Sequence, residues 1–560
     1  MDEPRTLFPG LRLLRRYERK DLKADFLGGL VIVLVLIPST LAYSELAGSG
    51  PIGGIYAALA GTLAYFVFAS SRHMNVGPDG AVALLAGTAI LPLTGGDPQA
   101  GLIVGAWLAL FTGIVLLTAA KLRLGVLASF LSAPVLTGYL NGAAVVIVVS
   151  QFGKLFGIDL EANGIVQRAI EFTVEAGDTH GPTLAVASVV LVMLAACKAF
   201  IRAVPPLVPV FLIALLAGLF HDFRSMDVAV IGAIRDITPQ GVGFTLEFDD
   251  AARLAVGALG LAFLIFPEGL LLGRAMAEKH GYTVDGDREL LALGASNVAS
   301  GLVTGFAIGG SQTRTLLNSA TGGRTQMANL ISAGLLVLFL IFGATLIERM
   351  PSVAIAAILT FTGFGLVDIA GMRELFRRDR TTGWIALSTM LSVVFIGVLA
   401  GILIGTALSI VILLKQLARP HDALLGRKPG SDSLHDLGDD DEEDGIPGIL
   451  AYRFYGPLHF ANVGYFIDRV EMFLARQKEP VHAVILDMQA VPSIDFTAVE
   501  KMRPFYERLR ERGFALAFSD VHFPLRESRL ARELEDVTRD AQIFDDVSDA
   551  VRALDGRDEV

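Results

Sequence analysis

The chain has 560 residues, 53% of them apolar and only 18% charged, with a mean hydropathy of +0.57. That composition excludes a string of soluble domains and marks an integral membrane protein. The net charge of −11 is unevenly spread: residues 430–560 carry 28 acids and 15 bases and the remainder 29 and 31, so the acidic part reads as a soluble appendage.

In chain order, residues 1–24 hold Arg12, Arg15, Arg16, Arg19, Lys20 and Lys23 without an apolar core or small-residue cleavage site. A cytoplasmic segment with no removed signal peptide is expected. A span needs about 20 apolar residues for a ~30 Å hydrocarbon layer. Candidates, full-length or short, lie at 26–47, 52–70, 79–96, 101–120, 132–153, 182–200, 206–221, 251–273, 289–304, 312–322, 328–348, 351–370, 383–397 and 398–417. These fourteen make a membrane domain over 25–418, with 124–130 a candidate interfacial helix. If the N-terminus is inside, loops after even-numbered spans carry eleven Lys/Arg, from Arg72 to Arg380, against five in the opposite loops. The positive-inside rule expects that asymmetry, with both termini cytoplasmic. Residues 419–447 read as an acidic, solvated linker. Residues 448–560 alternate strands at 449–454, 481–488 and 515–520 with helices at 497–512, 525–534 and 547–554, an α/β module.

An internal repeat organises the membrane domain. Pro38 in the first span and Pro267 in the eighth lie 229 residues apart, and Gly77 before the third and Gly309 before the tenth lie 232 apart. The near-equal offsets define two units, about 25–221 and 250–417, of seven spans each; because seven is odd, the second unit is inverted. The third element of each unit is short: 79–91 rises only ~20 Å at 1.5 Å per residue, and 312–322 rises less. The residues before each must cross part of the membrane extended, which is tolerated only where backbone is buried in protein or lines a cavity. Two half-helices would then meet N-terminus to N-terminus, presenting unpaired N–H groups and partial positive charge to an anion. The plainer alternative is that these glycines serve only close helix packing.

Four segments stand out: Leu36-Ile-Pro-Ser-Thr-Leu-Ala-Tyr-Ser-Glu-Leu-Ala-Gly48, Val76-Gly-Pro78, Gly310-Ser-Gln-Thr-Arg-Thr-Leu-Leu-Asn318 and Gly322-Gly-Arg-Thr-Gln326, with Glu289 to Asn297 leading into the ninth span. Together they resemble the motifs of the SulP family of anion transporters, which includes sulfate permeases, bacterial bicarbonate transporters, prestin and pendrin. The C-terminal module resembles a STAS domain through Tyr455-Gly-Pro-Leu-His-Phe-Ala-Asn462 and Ser493-Ile-Asp-Phe-Thr497. The resemblance implies an all-α membrane domain of fourteen spans in a seven-plus-seven inverted repeat, divided into core and gate domains, with a cytoplasmic α/β STAS domain.

It also implies a substrate pocket between spans one, three, eight and ten. Thr313 and Arg314 match the hydroxyl–arginine pair where the tenth helix starts, Ser39 and Tyr43 match pocket-facing positions of the first span, and Asp79 sits at the matching position of the third. An intramembrane arginine is a functional hypothesis by default; with the N–H groups of Ser311 and Gln312 it would hold an anion. Two departures stand out. Ser39 replaces a frequent Gln, and Asp79 sets a carboxylate beside the anion, so it is expected to cap its helix and pair with Arg314. Glu268, after Pro267, matches the family's cation-coupling carboxylate. In apolar surroundings a carboxyl group takes up a proton near neutrality, and the following Gly269, Leu270, Leu271 and Leu272 offer no hydroxyl to sodium, so a proton is the expected coupling ion. Glu45, near a span end, reads as interfacial. Thr497 matches the position phosphorylated in bacterial anti-sigma-factor antagonists, although Phe496 stands where a small polar residue is usual and an ordinary loop is the competing expectation.

One cysteine, Cys197, excludes a disulfide framework and multi-cysteine metal sites. The chain has no Gly-rich phosphate loop, no His-Glu-x-x-His and no nucleophile elbow, so neither an enzyme nor a cofactor is expected. The reading is a proton-coupled secondary transporter of an inorganic anion, sulfate first, moving like an elevator. A bicarbonate, chloride or dicarboxylate carrier with sodium coupling or exchange is the alternative. A nucleobase or ascorbate permease of the same architecture is disfavoured by Arg314 and the STAS module, and a non-transporting membrane-anchored STAS sensor is the rival from another class. Expected partners are the lipid bilayer, a second copy through the STAS or membrane domain, and cytosolic partners of the STAS domain, but no nucleic acid. The excess of Arg over Lys points to a bacterial inner membrane.

Overall fold

The computed structural model describes residues 8–125, 132–160, 162, 164–201, 205–232, 248–427, 434–437, 445–477, 479–522 and 541–555. The chain divides into two compact units, Met1–Leu408 and Ser409–Val560.

In the first unit an amphipathic helix α1 (Pro9–Arg16) precedes α2 (Leu22–Leu46), α3 (Gly50–Phe68), a short strand β1 (Val76–Gly77), α4 (Gly80–Thr94), α5 (Pro98–Lys121), α6 (Ala133–Ser150), α7 (Phe152–Phe156), α8 (Ile165–Glu175), α9 (Gly181–Phe200) and α10 (Leu207–Phe220). There follow α11 (Phe248–His280), α12 (Gly286–Leu302), β2 (Gly309–Gly310), α13 (Gln312–Ala320), α14 (Met327–Ile347), α15 (Ser352–Leu366), α16 (Ile369–Arg378), α17 (Arg380–Phe395) and α18 (Val398–Ala418), whose last turns enter the second unit. Each of the fourteen apolar segments holds a helix. Among the described residues eight helices are long and apolar enough to cross a membrane. The candidate interfacial helix at 124–130 lies largely outside the described residues.

The helix ends follow local chemistry. Asp97, Asp285 and Asp379 each accept backbone N–H groups at the start of α5, α12 and α17, the usual role of an N-cap. Gly95 closes α4 in the left-handed conformation at φ 59°, which a side chain would disfavour. Helices α3, α5, α11 and α12 pack together, as do α2 and α14, while α6 packs on α15 and α17. Close approach is built from glycine: a Cβ at Gly138 of α6 would lie 2.1 Å from the Ala386 carbonyl oxygen of α17. Large apolar side chains such as Val192, Phe220, Phe342 and Val411 remain exposed, as lipid-facing positions do.

The second unit is a six-stranded sheet in the order β4-β3-β5-β6-β7-β8, made of β3 (Asp422–Arg427), β4 (Leu434–Asp436), β5 (Ile449–Phe454), β6 (Ala483–Asp487), β7 (Ala515–Ser519) and β8 (Gln542–Phe544). Strands β5 to β8 are parallel, and β3 joins β5 antiparallel. Helices α19 (Val463–Arg476) and α20 (Phe496–Glu511) cover one face, and α21 (Val547–Leu554) covers the other. This corrects the expectation for 419–447: β3 and β4 lie in the supposed linker and belong to the sheet. Burial of the Asp422 carboxylate against Tyr452, Tyr465 and Arg469 anchors that edge. The helix expected at 525–534 falls outside the described residues.

Candidate functional site

The two short strands pair with each other. β1 runs antiparallel to β2, with Val76 opposite Gly310 and Gly77 opposite Gly309, and α4 and α13 begin two or three residues beyond. Extended backbone at this depth must find its hydrogen bonds within the protein, and a set of buried amides and hydroxyls supplies them. Thr62 Oγ1 donates to Val76 O at 2.9 Å, Asn297 brackets Ile308 through its N–H and carbonyl at 2.9 and 3.0 Å, and Ser300 Oγ donates to Phe306 O. Asn329 and Gln326 donate to Met74 O, and Asn318 to His73 O. Sequence reasoning gave none of these residues this role, although Asn297, Asn318 and Gln326 lie in the quoted motifs; the available signal was amides and hydroxyls in otherwise apolar spans.

Arg314, in the first turn of α13, is 1% exposed. Its Nε donates to Asn75 Oδ1, and its Nη1 donates to Pro78 O at 2.9 Å and Ser39 Oγ at 3.4 Å. Nη2 is buried and has no hydrogen-bond partner among the described residues. The guanidinium therefore braces the segment before α4 against α2 and α13, and places its charge behind both helix starts. Ser39 is buried and returns its own proton to Val35 O. Ser311 is also buried, but its N–H is taken by Asn75 O at 2.9 Å, so it is not free for an anion. Gln312 and Thr313 are exposed at the start of α13, where the first N–H groups of a helix lack intrahelical acceptors.

Asp79 caps α4, accepting from Ala81 N at 3.2 Å. The expected ion pair with Arg314 is not formed: the guanidinium is committed to Asn75, Pro78 and Ser39, and the two groups interact only at longer range. The Tyr43 ring packs on Gly80, where a Cβ would meet it at 3.2 Å. Half-buried Glu268 faces Asp79 electrostatically and makes no hydrogen bond or ion pair among the described residues. The structure thus brings Ser39, Tyr43, Asp79 and the start of α13 together, with Glu268 alongside. Glu45 instead pairs with Lys154 in a half-exposed contact. In the second unit Thr497 is half-buried in the first turn of α20, which Asp495 caps through Ala498 N at 2.7 Å. A crevice of about 390 Å³ among Ala64, Phe68, Leu117, Leu291, Val298 and Leu302 is wholly apolar and contains none of these residues. No cluster of three or more metal-ligating side chains occurs among the described residues.

A profile of the sulfate permease family matches residues 22–389, and a STAS domain profile matches residues 442–550. The chain belongs to the sulfate permease family. Its members are anion transporters, and this chain is accordingly a multi-pass membrane transporter and not an enzyme. A probable sulfate transporter of Mycobacterium tuberculosis is 34% identical over 547 residues, covering 98% of both chains. The chloroplastic sulfate transporter 4.1 of Arabidopsis thaliana is 29% identical over 552 residues, covering 93% of this chain and 79% of the relative. Among solved structures, the murine solute carrier 26 member A9 anion transporter in its inward-facing state superposes with a TM-score of 0.89 at 22% identity, over 98% of this chain and 94% of that one. The transmembrane domain of a cyanobacterial bicarbonate transporter does so at 0.60 and 19% identity, over 69% and 98%. At those identities the structural likeness establishes the fold alone.

Proposed function

We propose that this member of the sulfate permease family is a secondary active, proton-coupled sulfate transporter. The observation that carries the reading is the β1–β2 pairing, which brings the starts of α4 and α13 together with a fully buried arginine behind them. Helix dipoles and a fixed charge in a poorly screened site favour an anion. The sulfate assignment draws on relatives named as sulfate transporters that align along nearly the whole chain. Gln312 and Thr313 offer the anion N–H and hydroxyl groups, Ser39 and Tyr43 border it, and Glu268 carries the proton. Fourteen crossings form two inverted repeats. A core containing α2, α4, α11 and α13 moves like an elevator against a gate containing α6, α15 and α17. Two copies associate in a bacterial inner membrane with both termini cytoplasmic, and the STAS domain regulates transport or joins the copies.

The test is uptake of labelled sulfate by proteoliposomes containing the full chain, with an inwardly directed proton gradient and no sodium. Gradient-dependent accumulation, competed best by sulfate and its tetrahedral analogues, supports the reading. Preference for bicarbonate, chloride or a dicarboxylate replaces the substrate, a demand for sodium replaces the coupling ion, and no uptake of any anion favours a STAS sensor.

A further inference from the structure

The apolar crevice of about 390 Å³ lies away from the anion site, and its shape follows from α12. That helix packs between α3 and α5. Tyr65 of α3 donates to Glu289 at its start, and Leu117 of α5 lies over Gly294, where a Cβ would meet it at 2.9 Å. One face of α12, with Leu293, Asn297 and Ser300, is buried. The other presents Leu291, Ala295, Val298, Ala299 and Leu302, the floor of the crevice, at helical spacing. Ala64 and Phe68 form one wall and Leu117 the other. From Leu291 to Leu302 the floor rises ~16 Å at 1.5 Å per residue, about half of a ~30 Å hydrocarbon layer. The groove is one leaflet deep.

Its two ends differ. Four residues beyond Leu117 on α5 stands Lys121, and three before Leu291 on α12 stands Arg288, so each helix continues its crevice face into a base. Gly125 N donates to Asp287 Oδ1 at 2.9 Å, tying the turn after α5 to the start of α12 and holding these two ends together. Asp285, the other carboxylate there, caps α12. Lys121 is exposed, Arg288 is half-buried, and neither has an ion-pair partner among the described residues. Helix α1 marks this end as the membrane surface: its Phe8 ring lies 5.4 Å from the ring of Phe68, and it exposes Leu11 and Leu14 beside Arg15 and Arg16, the make-up of an interfacial helix.

We propose that this crevice seats one anionic phospholipid of the cytoplasmic leaflet, with an acyl chain along the α12 floor and its phosphate held by Lys121 and Arg288. The bases select the occupant. A second copy related by a twofold axis along the membrane normal would set the same bases against each other, whereas an anionic headgroup neutralises them.

The test is native mass spectrometry of the full chain in mild detergent, offered equal amounts of phosphatidylglycerol and phosphatidylcholine with identical acyl chains. One phosphatidylglycerol per protomer should be retained, preferred roughly tenfold, the scale expected of two bases beside an anionic headgroup. Lys121→Gln combined with Arg288→Gln should erase the preference and leave the thermal midpoint without added lipid unchanged. Ala299→Phe fills the floor and should cut retention of both lipids; Ala295→Leu, a smaller step, should do so in part and serves if the phenylalanine variant folds poorly. Equal retention of the two lipids by the wild type overturns the proposal, as does a preference that survives the double substitution. Retention untouched by both crevice variants removes the acyl chain from the crevice. If those variants lower the dimer fraction and leave lipid retention as it was, the occupant is a second copy and the proposal falls.

Discussion

Helices α4 and α13 share a backbone plan, an extended pair of residues leading into a helix, yet their electrostatics are opposite. Helix α4 begins under the Asp79 carboxylate and runs fifteen residues of almost wholly apolar sequence. Helix α13 is nine residues long, has no side-chain cap, and buries Arg314, Thr315, Asn318 and Ser319. The partial positive charge at the start of α4 is offset by its own cap, whereas that of α13 is reinforced by a guanidinium. Equal backbone geometry therefore does not make equal half-sites: the function proposed above puts the anion on the α13 side, with Asp79 as a counterweight.

The largest effect should come from breaking the α13 side. Arg314→Ala should weaken sulfate binding by at least 100-fold in calorimetry on purified protein. It should also lower the thermal midpoint, because Asn75 Oδ1 and Pro78 O lose their donor in a buried setting, at about 1–3 kcal/mol each. Undiminished affinity would remove the arginine from the site. Next in size, Glu268→Gln should abolish accumulation driven by a proton gradient while preserving counterflow exchange, measured in the same vesicles; persistent accumulation would make Glu268 structural.

Asp79→Asn sharpens the comparison from the other side. Asparagine still caps a helix but carries no charge, so sulfate affinity should rise several-fold with little change in thermal midpoint. A fall in affinity would mean that the carboxylate serves binding and does not oppose it. The smallest effect is expected from removing residues 419–560: sulfate affinity should stay within about twofold while rate or dimer content changes. The cut belongs before β3, because a deletion starting at 448 would strand Asp422 without Tyr452, Tyr465 and Arg469.

The asymmetry of the half-helices was partly legible in the sequence. Apolar runs, the two proline and glycine offsets and the shortness of α4 and α13 led to the helices and to the extended residues before them, because those features follow from chain length and membrane thickness. Arg314 and Asp79 were legible as charges out of place. Their partners were not: the bonds of Asn75, Asn297 and Asn329 exist only once β1 meets β2, a tertiary event with no local periodicity, and the same event consumes the N–H of Ser311. Strand β3 was hidden because its half-buried edge, with Asp422 facing inward, looks polar enough for a linker. Helix α19 was readable, with Phe466, Val470, Phe473 and Leu474 on one face, and was passed over.

The most direct measurement is to locate the anion itself. Selenate shares the charge and tetrahedral shape of sulfate and carries an anomalous scatterer. Diffraction from protein soaked in selenate should show a single strong selenium peak within hydrogen-bond reach of Gln312 and Thr313 at the start of α13, lost in Arg314→Ala crystals. A peak seated on α4 beside Asp79, or one confined to the C-terminal domain, would contradict the account.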